Sequence, residues 1–562
     1  MNGQASLPNR TEFDGQPLEL DLGADYISKD DGSVERIPTN RNALPVTVIA
    51  HPLTIARRMV NIDTGETKLE LAYRRKGRKW RRIIVNRGTI NTNANVVKLA
   101  DSDIDVPQSR AGEVVRYLSA LENLNLDRIP EVRSCGRMGY ADGDSCFLPY
   151  ADDIAFDGDA AFAPMFRSIR AEGSFEEWQH AALELCMTLP GRLALDASFA
   201  SALVKPLKCL PFFVHLWGTK SGTGKTLALM GAASVWADPA PGRYIQTFNS
   251  TAVGHERIAE FLQNLPLIID ELQISKDWRG QVVYDPYKLA EGIGRTRGTR
   301  TGGVERTPTW HNCILTSGET PLIRDTAAAG AKNRAIEVEV DQPLTEDGHA
   351  LAAKLGHNFG HAGRMFVEWV MQNHDLVDTA YGMYYRDLTA FTSKQALSGA
   401  LLLTADNIVT TLGIVPKLRC LKAADLMPYL KTDEDIEINR ALYAQMCDWV
   451  VGNMNGFLRD DRHDDHPPRE IFGKYDWKKN IAYILPSRFD AVVESFGGVS
   501  RSFKKWLLEK GLIIVRPGTR GTHFVTRVID RAVSTVAIRL PDREAEAVFD
   551  DADEKGLLNI DV

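Results

Sequence analysis

Residues 212–237, FFVHLWGTKSGTGKTLALMGAASVWA, decide the fold of this chain. The segment opens with an apolar run typical of a buried strand, continues through a loop of Gly, Ser and Thr, and ends in a helical pattern of Leu, Ala and Met. A strand, a glycine-rich loop and a helix in this order form the context of a phosphate-binding P-loop. The sequence therefore predicts a nucleotide site where the helix begins.

The loop supplies the groups that a triphosphate and Mg²⁺ require. Its glycines let backbone N–H groups turn toward phosphate, Lys225 can reach the β- and γ-phosphates, and Thr226 can ligate Mg²⁺. The usual motif has a glycine at the position of Thr219, whereas the first glycine here is Gly218, so the loop is longer by one residue and Thr219 must tolerate the turn. The predicted nucleotide-binding residues are Gly218, Ser221, Gly222, Thr223, Gly224, Lys225 and Thr226.

Three later segments provide candidate catalytic groups. The apolar run LPLIIDE (265–271) predicts a buried parallel strand that delivers Asp270 to the Mg²⁺ shell and Glu271 to the attacking water. A second strand, within 311–322, ends at Thr316 and Ser317, and we assign Thr316 as the polar group near that water. Arg334 precedes the strand AIEVEV (335–340) and would face outward, toward the γ-phosphate of a neighbouring subunit. With Lys225, these residues form the predicted catalytic set.

Composition describes an ordinary globular protein. The 562 residues are 44% hydrophobic and 25% charged, and no apolar run approaches the length needed to span a bilayer. The first residues contain no apolar core of a signal peptide, so we expect a cytoplasmic protein without membrane contact. The seven cysteines are dispersed and indicate core thiols. A net charge of −7 means that any contact with nucleic acid must be made by local patches.

The predicted fold class is α/β, with a P-loop NTPase core flanked by smaller modules. Ser174 and Glu177 are spaced as a capping box and mark the start of a helical lead-in, 174–208. At the C-terminal end, a strand at 481–485, helices at 486–496 and 500–510 and two strands around RPGTRGTHF (516–524) suggest a winged helix. The predicted domains are an N-terminal α+β module (1–153), the ATPase core (154–345), a helical region (346–460), a winged-helix-like module (470–545) and an acidic tail (546–562).

Three basic patches are candidates for nucleic-acid contact. A predicted hairpin at 74–82 carries Trp80 as a stacking surface among many cations, a glycine-rich segment at 290–310 carries arginines, and one helix of the winged-helix-like module carries paired lysines. Each patch has a second interpretation as solvated surface, and the C-terminal module could equally contact another protein. The predicted nucleic-acid residues are Arg74, Arg75, Lys76, Arg78, Lys79, Trp80, Arg81, Arg295, Arg297, Arg300, Lys504 and Lys505.

Together, HLWGTKSGTGKTLALMGAASVW, LIIDEL, ILTSGETPL, GAKNRAIEVEV and the N-terminal SCGRMGY (134–140) resemble the P-loop family labelled domain of unknown function 927, which is found in phages, plasmids and integrated islands. The resemblance covers about residues 25–540. Members resemble AAA+ ATPases related to superfamily 3 and MCM-like helicases, which commonly have an asparagine at the position of Thr316. The resemblance implies that the functional residues of such an ATPase are Lys225, Thr226, Asp270, Glu271 and Arg334 in this chain.

The resemblance implies a replicative, ATP- and Mg²⁺-dependent DNA helicase or translocase of a mobile genetic element. Its expected partners are single-stranded or forked DNA, other copies of the chain in a hexameric ring, and a primase or initiator protein. Two alternatives stay open. One is an initiator or defence-type switch that binds DNA and hydrolyses ATP without unwinding, and the other is a nucleotide-gated scaffold, which an intact Asp270 and Glu271 disfavour.

Overall fold

The structure is a computed structural model that divides the chain into two units. The first unit spans residues 1–320, 338–383 and 401–421, and the second spans residues 321–337, 384–400 and 422–562. Arg297, Arg300 and the predicted acidic tail, 546–562, lie outside the described residues. The described residues are 10–11, 13–40, 42–275, 286–296, 298, 306–323, 333–432, 438–459, 470–515, 522–528 and 531–541.

The N-terminal region combines a small antiparallel sheet, a five-stranded mixed sheet and a covering helix. The strands of the mixed sheet lie in the order β10-β7-β4-β5-β6, and β8 pairs with β9 beside it. Helix α3 buries Val114, Tyr117, Leu118 and Leu121, and the Tyr117 hydroxyl donates to the Leu53 carbonyl at 2.9 Å. The elements are β1 (Tyr26–Ser28), β2 (Val34–Arg36), β3 (Val46–Ile49), β4 (Leu53–Asn61), β5 (Thr67–Tyr73), β6 (Arg81–Asn86), α1 (Arg87–Ile90), α2 (Asn93–Val96), α3 (Ala111–Leu124), β7 (Glu131–Cys135), β8 (Gly139–Ala141), β9 (Cys146–Leu148) and β10 (Ile154–Phe156).

The central region contains a second five-stranded sheet, in the order β12-β13-β14-β11-β15. The pairs β12·β13, β13·β14 and β11·β14 are parallel. As predicted, residues 212–237 form a strand, a loop and a helix. The elements are α4 (Ala163–Ser168), α5 (Phe175–Leu185), α6 (Leu189–Ser201), β11 (Phe212–Trp217), α7 (Lys225–Ser234), β12 (Gln246–Thr247), α8 (Ala252–Leu262), β13 (Leu267–Asp270), α9 (Pro286–Ala290), β14 (Cys313–Gly318) and β15 (Ala335–Glu339).

Burial on both faces explains why the central strands are almost continuously apolar. Strand β14 is buried along its whole length, and β11 and β13 are buried except at their last residue. Because β11, β13 and β14 are parallel, their carboxyl ends meet at one edge of the sheet. The lead-in helix α5 begins as predicted, since the Ser174 side chain accepts the Glu177 N–H at 3.3 Å.

The SCGRMGY segment fastens the N-terminal region to the turn between α8 and β13. The Met138 N–H donates to the Phe261 carbonyl at 2.8 Å, and the Tyr140 N–H donates to Asn264 Oδ1 at 3.0 Å. The Asn264 amide in turn donates to the His311 carbonyl, 3.1 Å away, just before β14. The segment therefore stabilises the connection that leads into the Asp270 strand.

The remainder of the described chain is a set of helices followed by a mixed sheet in the order β16-β17-β18-β20-β19. The predicted strand and two helices are present, and two strands follow at Phe524–Val528 and Arg531–Arg539. Before RPGTRGTHF, where the first of these strands was predicted, Ile513 forms an isolated bridge with Ile538 in place of a strand. Phe489, Phe503 and Trp506 pack in the core of this module. The elements are α10 (Gly348–His357), α11 (Ala362–Gln372), α12 (His374–Thr389), α13 (Ala396–Thr411), α14 (Ala423–Leu426), α15 (Ile438–Gly452), β16 (Phe457–Arg459), β17 (Gly473–Asp476), β18 (Ile481–Ile484), α16 (Pro486–Ser495), α17 (Ser500–Glu509), β19 (Phe524–Val528) and β20 (Arg531–Arg539).

The cysteines are free thiols that are buried or half-buried, as predicted for core residues. Burial raises the pKa of the Cys313 thiol well above its usual range, which keeps this group protonated and unreactive. None of the helices in the described ranges is both long enough and apolar enough to cross a bilayer.

Candidate nucleotide-binding site

The loop between β11 and α7 adopts a conformation that depends on its glycines. Gly222 and Gly224 have φ angles of 76° and 93°, in the region that residues with a side chain rarely occupy. Gly224 is the N-cap of α7, so the helix begins at Lys225 with its first N–H groups and the positive end of its dipole at the loop. This arrangement suits an anion.

The extra residue of the loop has a structural explanation. A Cβ on Gly218 would lie 2.6 Å from the Val340 carbonyl oxygen, so a glycine is required where the end of β11 passes that backbone. Thr219 is not among the residues with positive φ, so its ordinary backbone conformation tolerates a side chain. Gly218 therefore serves close packing as well as the loop, and the longer spacing does not strain Thr219.

Lys225 is directed back into the loop. Its Nζ donates to the carbonyls of Gly218 and Lys220 at 2.8 and 2.9 Å and to the Thr223 hydroxyl at 3.3 Å. Burial lowers the pKa of the Lys225 ammonium, and the carboxylates of Glu319 and Asp270 oppose this shift. The Lys225 ammonium is therefore a partly buried cation inside the loop.

Asp270, at the end of β13, connects the loop helix to the neighbouring strand. Its Oδ2 accepts from the Thr226 hydroxyl at 3.0 Å, and its Oδ1 accepts from the Ser317 hydroxyl and from the Glu271 N–H, the latter at 3.0 Å. Three donors on one carboxylate hold it in a single orientation. Thr226 and Asp270, predicted from separate motifs, therefore meet at one place.

Glu271 is exposed and has a left-handed backbone conformation, with a φ of 66°. This conformation is uncommon for a residue with a side chain, and such strain is concentrated at functional sites. The backbone N–H is held by Asp270 and by the Ser317 hydroxyl, the second at 3.3 Å. Among the described residues, none donates a hydrogen bond to the Glu271 carboxylate, which lines the cleft and can accept a proton.

The structure corrects the assignment of Thr316. Its side chain is fully buried, and its hydroxyl lies 2.8 Å from Nδ1 of His215. The next residue, Ser317, is the one that contacts Asp270 and the backbone of Glu271. Successive residues of a strand point to opposite faces, so only one of the two could face the cleft.

A cleft of about 480 Å³ runs along the loop and the edge of the sheet. Besides the predicted residues, its wall includes Glu319, His349 and Met230, which the sequence analysis missed because no local motif marks them. The main lining residues are Ser221, Gly222, Thr223, Gly224, Lys225, Thr226, Asp270, Glu271 and Ser317.

The basic segment 74–82 is the turn of a hairpin between the antiparallel strands β5 and β6, as predicted. Several of its arginines are engaged: Arg75 and Arg81 lie within 3.7 and 3.9 Å of the Asp103 carboxylate, and Arg82 pairs with Glu70 at 3.1 Å. The exposed cations Lys76, Arg78 and Lys79 have no ion pair among the described residues.

Trp80 is held by the N-terminal segment. Its indole N–H donates to the Asp14 carbonyl at 2.8 Å, and the Arg74 guanidinium lies 5.3 Å from the ring centroid. Arg74 itself also donates to the Asp14 carbonyl. The indole and Arg74 are therefore occupied within the chain, and the exposed lysines and Arg78 form the accessible part of this patch.

The other two basic patches differ from each other. Arg295 is exposed on an arm that pairs with residues 307–309, through a hydrogen bond of 2.8 Å from the Gly294 N–H to the Pro308 carbonyl. In the C-terminal module, the Lys504 ammonium binds Asp490 at 2.8 Å and its side chain is only 13% exposed. Lys505 lies 3.6 Å from Glu509 in the same helix but is 79% exposed, so of the two predicted lysines it is the more accessible to a partner.

Arg334 lies immediately before β15 and is half-buried. It makes at least one interaction within the chain, and its predicted role toward another subunit stays a prediction.

The architecture is that of a mixed α/β protein in which a glycine-rich loop and the ends of β13 and β14 line one cleft. The chain belongs to the family described as domain of unknown function DUF927, whose model matches residues 26–310, just over half of the sequence. No curated protein matches the sequence.

A solved structure described as "SCCmec type IV Cch - active helicase" has a similar fold. The TM-score is 0.66 at 17% sequence identity, and the similarity covers 96% of this chain and 100% of that one. The fold is therefore shared over nearly the whole of both chains.

Replacing Lys225 with alanine removes the cation inside the loop. We expect ATP turnover to fall by about 10²-fold or more, because charge stabilisation is the main contribution of such a site. Steady-state phosphate release measures this loss. Lys220→Ala is the matched control, since the Lys220 ammonium donates to the Asp341 carbonyl, and it should keep most of the turnover. Near-normal turnover in Lys225→Ala would contradict the nucleotide-site assignment.

Replacing Glu271 with glutamine preserves its shape but removes the proton acceptor. We expect hydrolysis to slow by about 10²–10⁴-fold while nucleotide binding persists. Binding of a fluorescent ATP analogue and single-turnover hydrolysis separate the two effects. Glu319→Gln changes a second carboxylate of the same cleft and should slow hydrolysis much less. If Glu271→Gln loses binding together with turnover, Glu271 is a structural residue.

Neutralising Lys76, Arg78 and Lys79 together tests the hairpin. If these cations contact DNA phosphates, affinity should fall and the slope of log affinity against log salt should flatten by about 2–3, because fewer counterions are released. Titrations at several salt concentrations measure the slope. Neutralising the ion-paired Arg75, Arg81 and Arg82 is the matched control, with a smaller expected change. An unchanged slope for the first variant would leave the hairpin as solvated surface.

Proposed function

We propose that this protein is an ATP-dependent DNA helicase or translocase of a mobile genetic element. It would act in replication as a ring, with six subunits as in the helicases that the family resembles, in the cytoplasm and beside a primase or initiator protein. The observation that carries the proposal is the hydrogen bond of 3.0 Å between Thr226 and Asp270 in a cleft that also contains Lys225 and Glu271. These groups are the minimum set for nucleotide hydrolysis by a P-loop protein.

The donor set suits Mg²⁺. The Thr226 hydroxyl and the Asp270 carboxylate supply hard oxygen atoms at one point, and Mg²⁺ at nucleotide sites takes one or two such protein groups, with phosphate oxygens and waters completing its shell. When bound, the ion would neutralise charge on the β- and γ-phosphates. The described residues contain no group of three or more His, Cys, Asp or Glu side chains able to hold a metal.

The chain's own groups divide the work of hydrolysis. Lys225 would exchange its carbonyl partners for phosphate oxygens, since it already lies inside the loop. The Glu271 carboxylate would accept a proton from the attacking water. Ser317, in place of Thr316, would keep Asp270 and the Glu271 backbone aligned.

Contact with DNA would come from separate basic patches, because the chain as a whole is acidic. The accessible candidates are Lys76, Arg78 and Lys79 on the hairpin, Arg295 on its paired arm and Lys505 on α17. The fold shared with a mobile-element helicase supports this assignment. Phosphate contacts of this kind carry no sequence information, which suits movement along DNA.

The proposal is tested by ATP hydrolysis with and without single-stranded DNA, coupled to unwinding of a forked duplex. We expect DNA to stimulate hydrolysis and ATP to drive strand separation. Stimulated hydrolysis without strand separation would favour the initiator or defence-type switch. Absence of hydrolysis under every condition would reject the ATPase itself.

Replacing Arg334 with alanine tests the shared site. A trans-acting arginine contributes about 10³–10⁵ in rate in other phosphoryl-transfer systems, so turnover should collapse while ATP binding persists. Mixing Arg334→Ala with Lys225→Ala should restore partial activity, because some interfaces of a mixed ring pair an intact loop with an intact arginine. A mixture that stays inactive although mixed oligomers form would show that Arg334 does not act in trans.

A further inference from the structure

His215 lies in β11, the strand that leads into the loop, and is fully buried. Its Nδ1 is 2.8 Å from the Thr316 hydroxyl and its Nε2 is 3.0 Å from the Thr320 carbonyl oxygen. These two partners stand at the two ends of one short segment, Thr316–Thr320, which leaves β14 and enters the wall of the cleft.

The carbonyl partner fixes the role of one ring nitrogen, Nε2. A carbonyl oxygen only accepts hydrogen bonds, so the ring proton must be on Nε2. In the neutral ring, Nδ1 then accepts from the Thr316 hydroxyl. The ring therefore contacts both ends of the segment, and at the Thr320 end Nε2 is the donor.

The middle of the segment packs on the same ring. A Cβ on Gly318 would lie 3.1 Å from Cε1 of His215 and 3.0 Å from the Cβ of Leu272, so the backbone at Gly318 is close to both side chains. On either side of Gly318 are Ser317, bonded to Asp270, and Glu319, which lines the cleft. The segment thus carries two residues that line the cleft, and the imidazole of His215 contacts the segment at both ends and near Gly318.

We propose that His215 is a positioning residue for ATP hydrolysis, acting through Thr316 and Thr320 to hold Ser317 against Asp270 and Glu271. This inference rests on the proposed function. It also gives Thr316 a role: its hydroxyl holds the imidazole and never meets the nucleotide. A histidine that served only the packing of the core would affect stability and leave the rate of the folded protein unchanged.

The test compares two substitutions at Thr316. Thr316→Val removes the hydroxyl at nearly constant volume, and Thr316→Ser keeps the hydroxyl. We expect Thr316→Val to lower kcat about tenfold to a hundredfold, because small misplacements of catalytic groups have costs of this size, while affinity for an ATP analogue stays unchanged. Thr316→Ser should retain the wild-type kcat. Thermal melting verifies that both variants are folded at the assay temperature.

His215→Phe, alone and combined with Thr316→Val, supplies a double-mutant cycle. Because both substitutions remove the same hydrogen bond, the double variant should lose no more activity than His215→Phe alone. Independent, additive losses would show that the two residues act separately and would overturn the inference.

Hydrogen–deuterium exchange of peptides spanning residues 314–322 tests the contact between His215 and Thr316 independently of ATP hydrolysis. Faster exchange at 317–320 is expected in Thr316→Val and unchanged exchange in Thr316→Ser. If the wild-type protein hydrolyses ATP and Thr316→Val does so equally fast, or if its exchange is unaltered, the positioning role is overturned and the ATPase stands. If the wild-type protein does not hydrolyse ATP, the proposed function fails, and the exchange result alone decides whether His215 holds the segment.

Discussion

The carboxylate of Asp270 is the group on which the arrangement of the cleft depends. It accepts hydrogen bonds from the Thr226 hydroxyl, the Ser317 hydroxyl and the Glu271 N–H. These donors belong to the loop helix, to the neighbouring strand and to the turn that follows Asp270 itself. A charged acceptor with three donors is strongly oriented, and removing it would release three separate segments at once. The site is therefore a property of the network more than of any single motif.

The parallel sheet makes this network possible. His215 in β11 and Ile269 in β13 are both in register with Thr316 in β14, so the ends of three strands lie side by side. Because side chains alternate along a strand, a slip of one residue would exchange the positions of Thr316 and Ser317. Burial of both faces of the sheet fixes the register, since a slipped strand would lose its packing on two sides.

Some residues of the cleft could be predicted from the sequence and others could not. The loop, Lys225, Thr226 and the pair Asp270 and Glu271 were predictable because the chemistry is encoded by residues close together in the chain. Which residue of β14 faces the cleft could not be predicted, because Thr316 and Ser317 are neighbouring residues that both carry a hydroxyl. Only the register of β14 with β11 and β13 decides which of the two faces the cleft. The fold of the core followed from its apolar strands, which are buried on both faces.

The sequence predicted where basic patches occur on the surface, but not which cation of each patch is ion-paired and which is exposed. Lys504 and Lys505 are adjacent in sequence, yet one binds Asp490 and the other is open to solvent, because α17 turns Lys504 toward α16. The hairpin shows the same separation, with Arg75 and Arg81 drawn to Asp103 and Lys76 left exposed. Ion pairs between distant segments depend on tertiary structure and leave no local pattern.

The most direct measurement of the central claim is an experimental structure of the protein with Mg²⁺ and a non-hydrolysable ATP analogue. The account predicts the ion at about 2.0–2.1 Å from the Thr226 hydroxyl oxygen, with Asp270 beside it. It also predicts that Lys225 Nζ leaves the carbonyls of Gly218 and Lys220 for the β- and γ-phosphates. Nucleotide bound elsewhere, or bound here with Lys225 still on those two carbonyls, would contradict it.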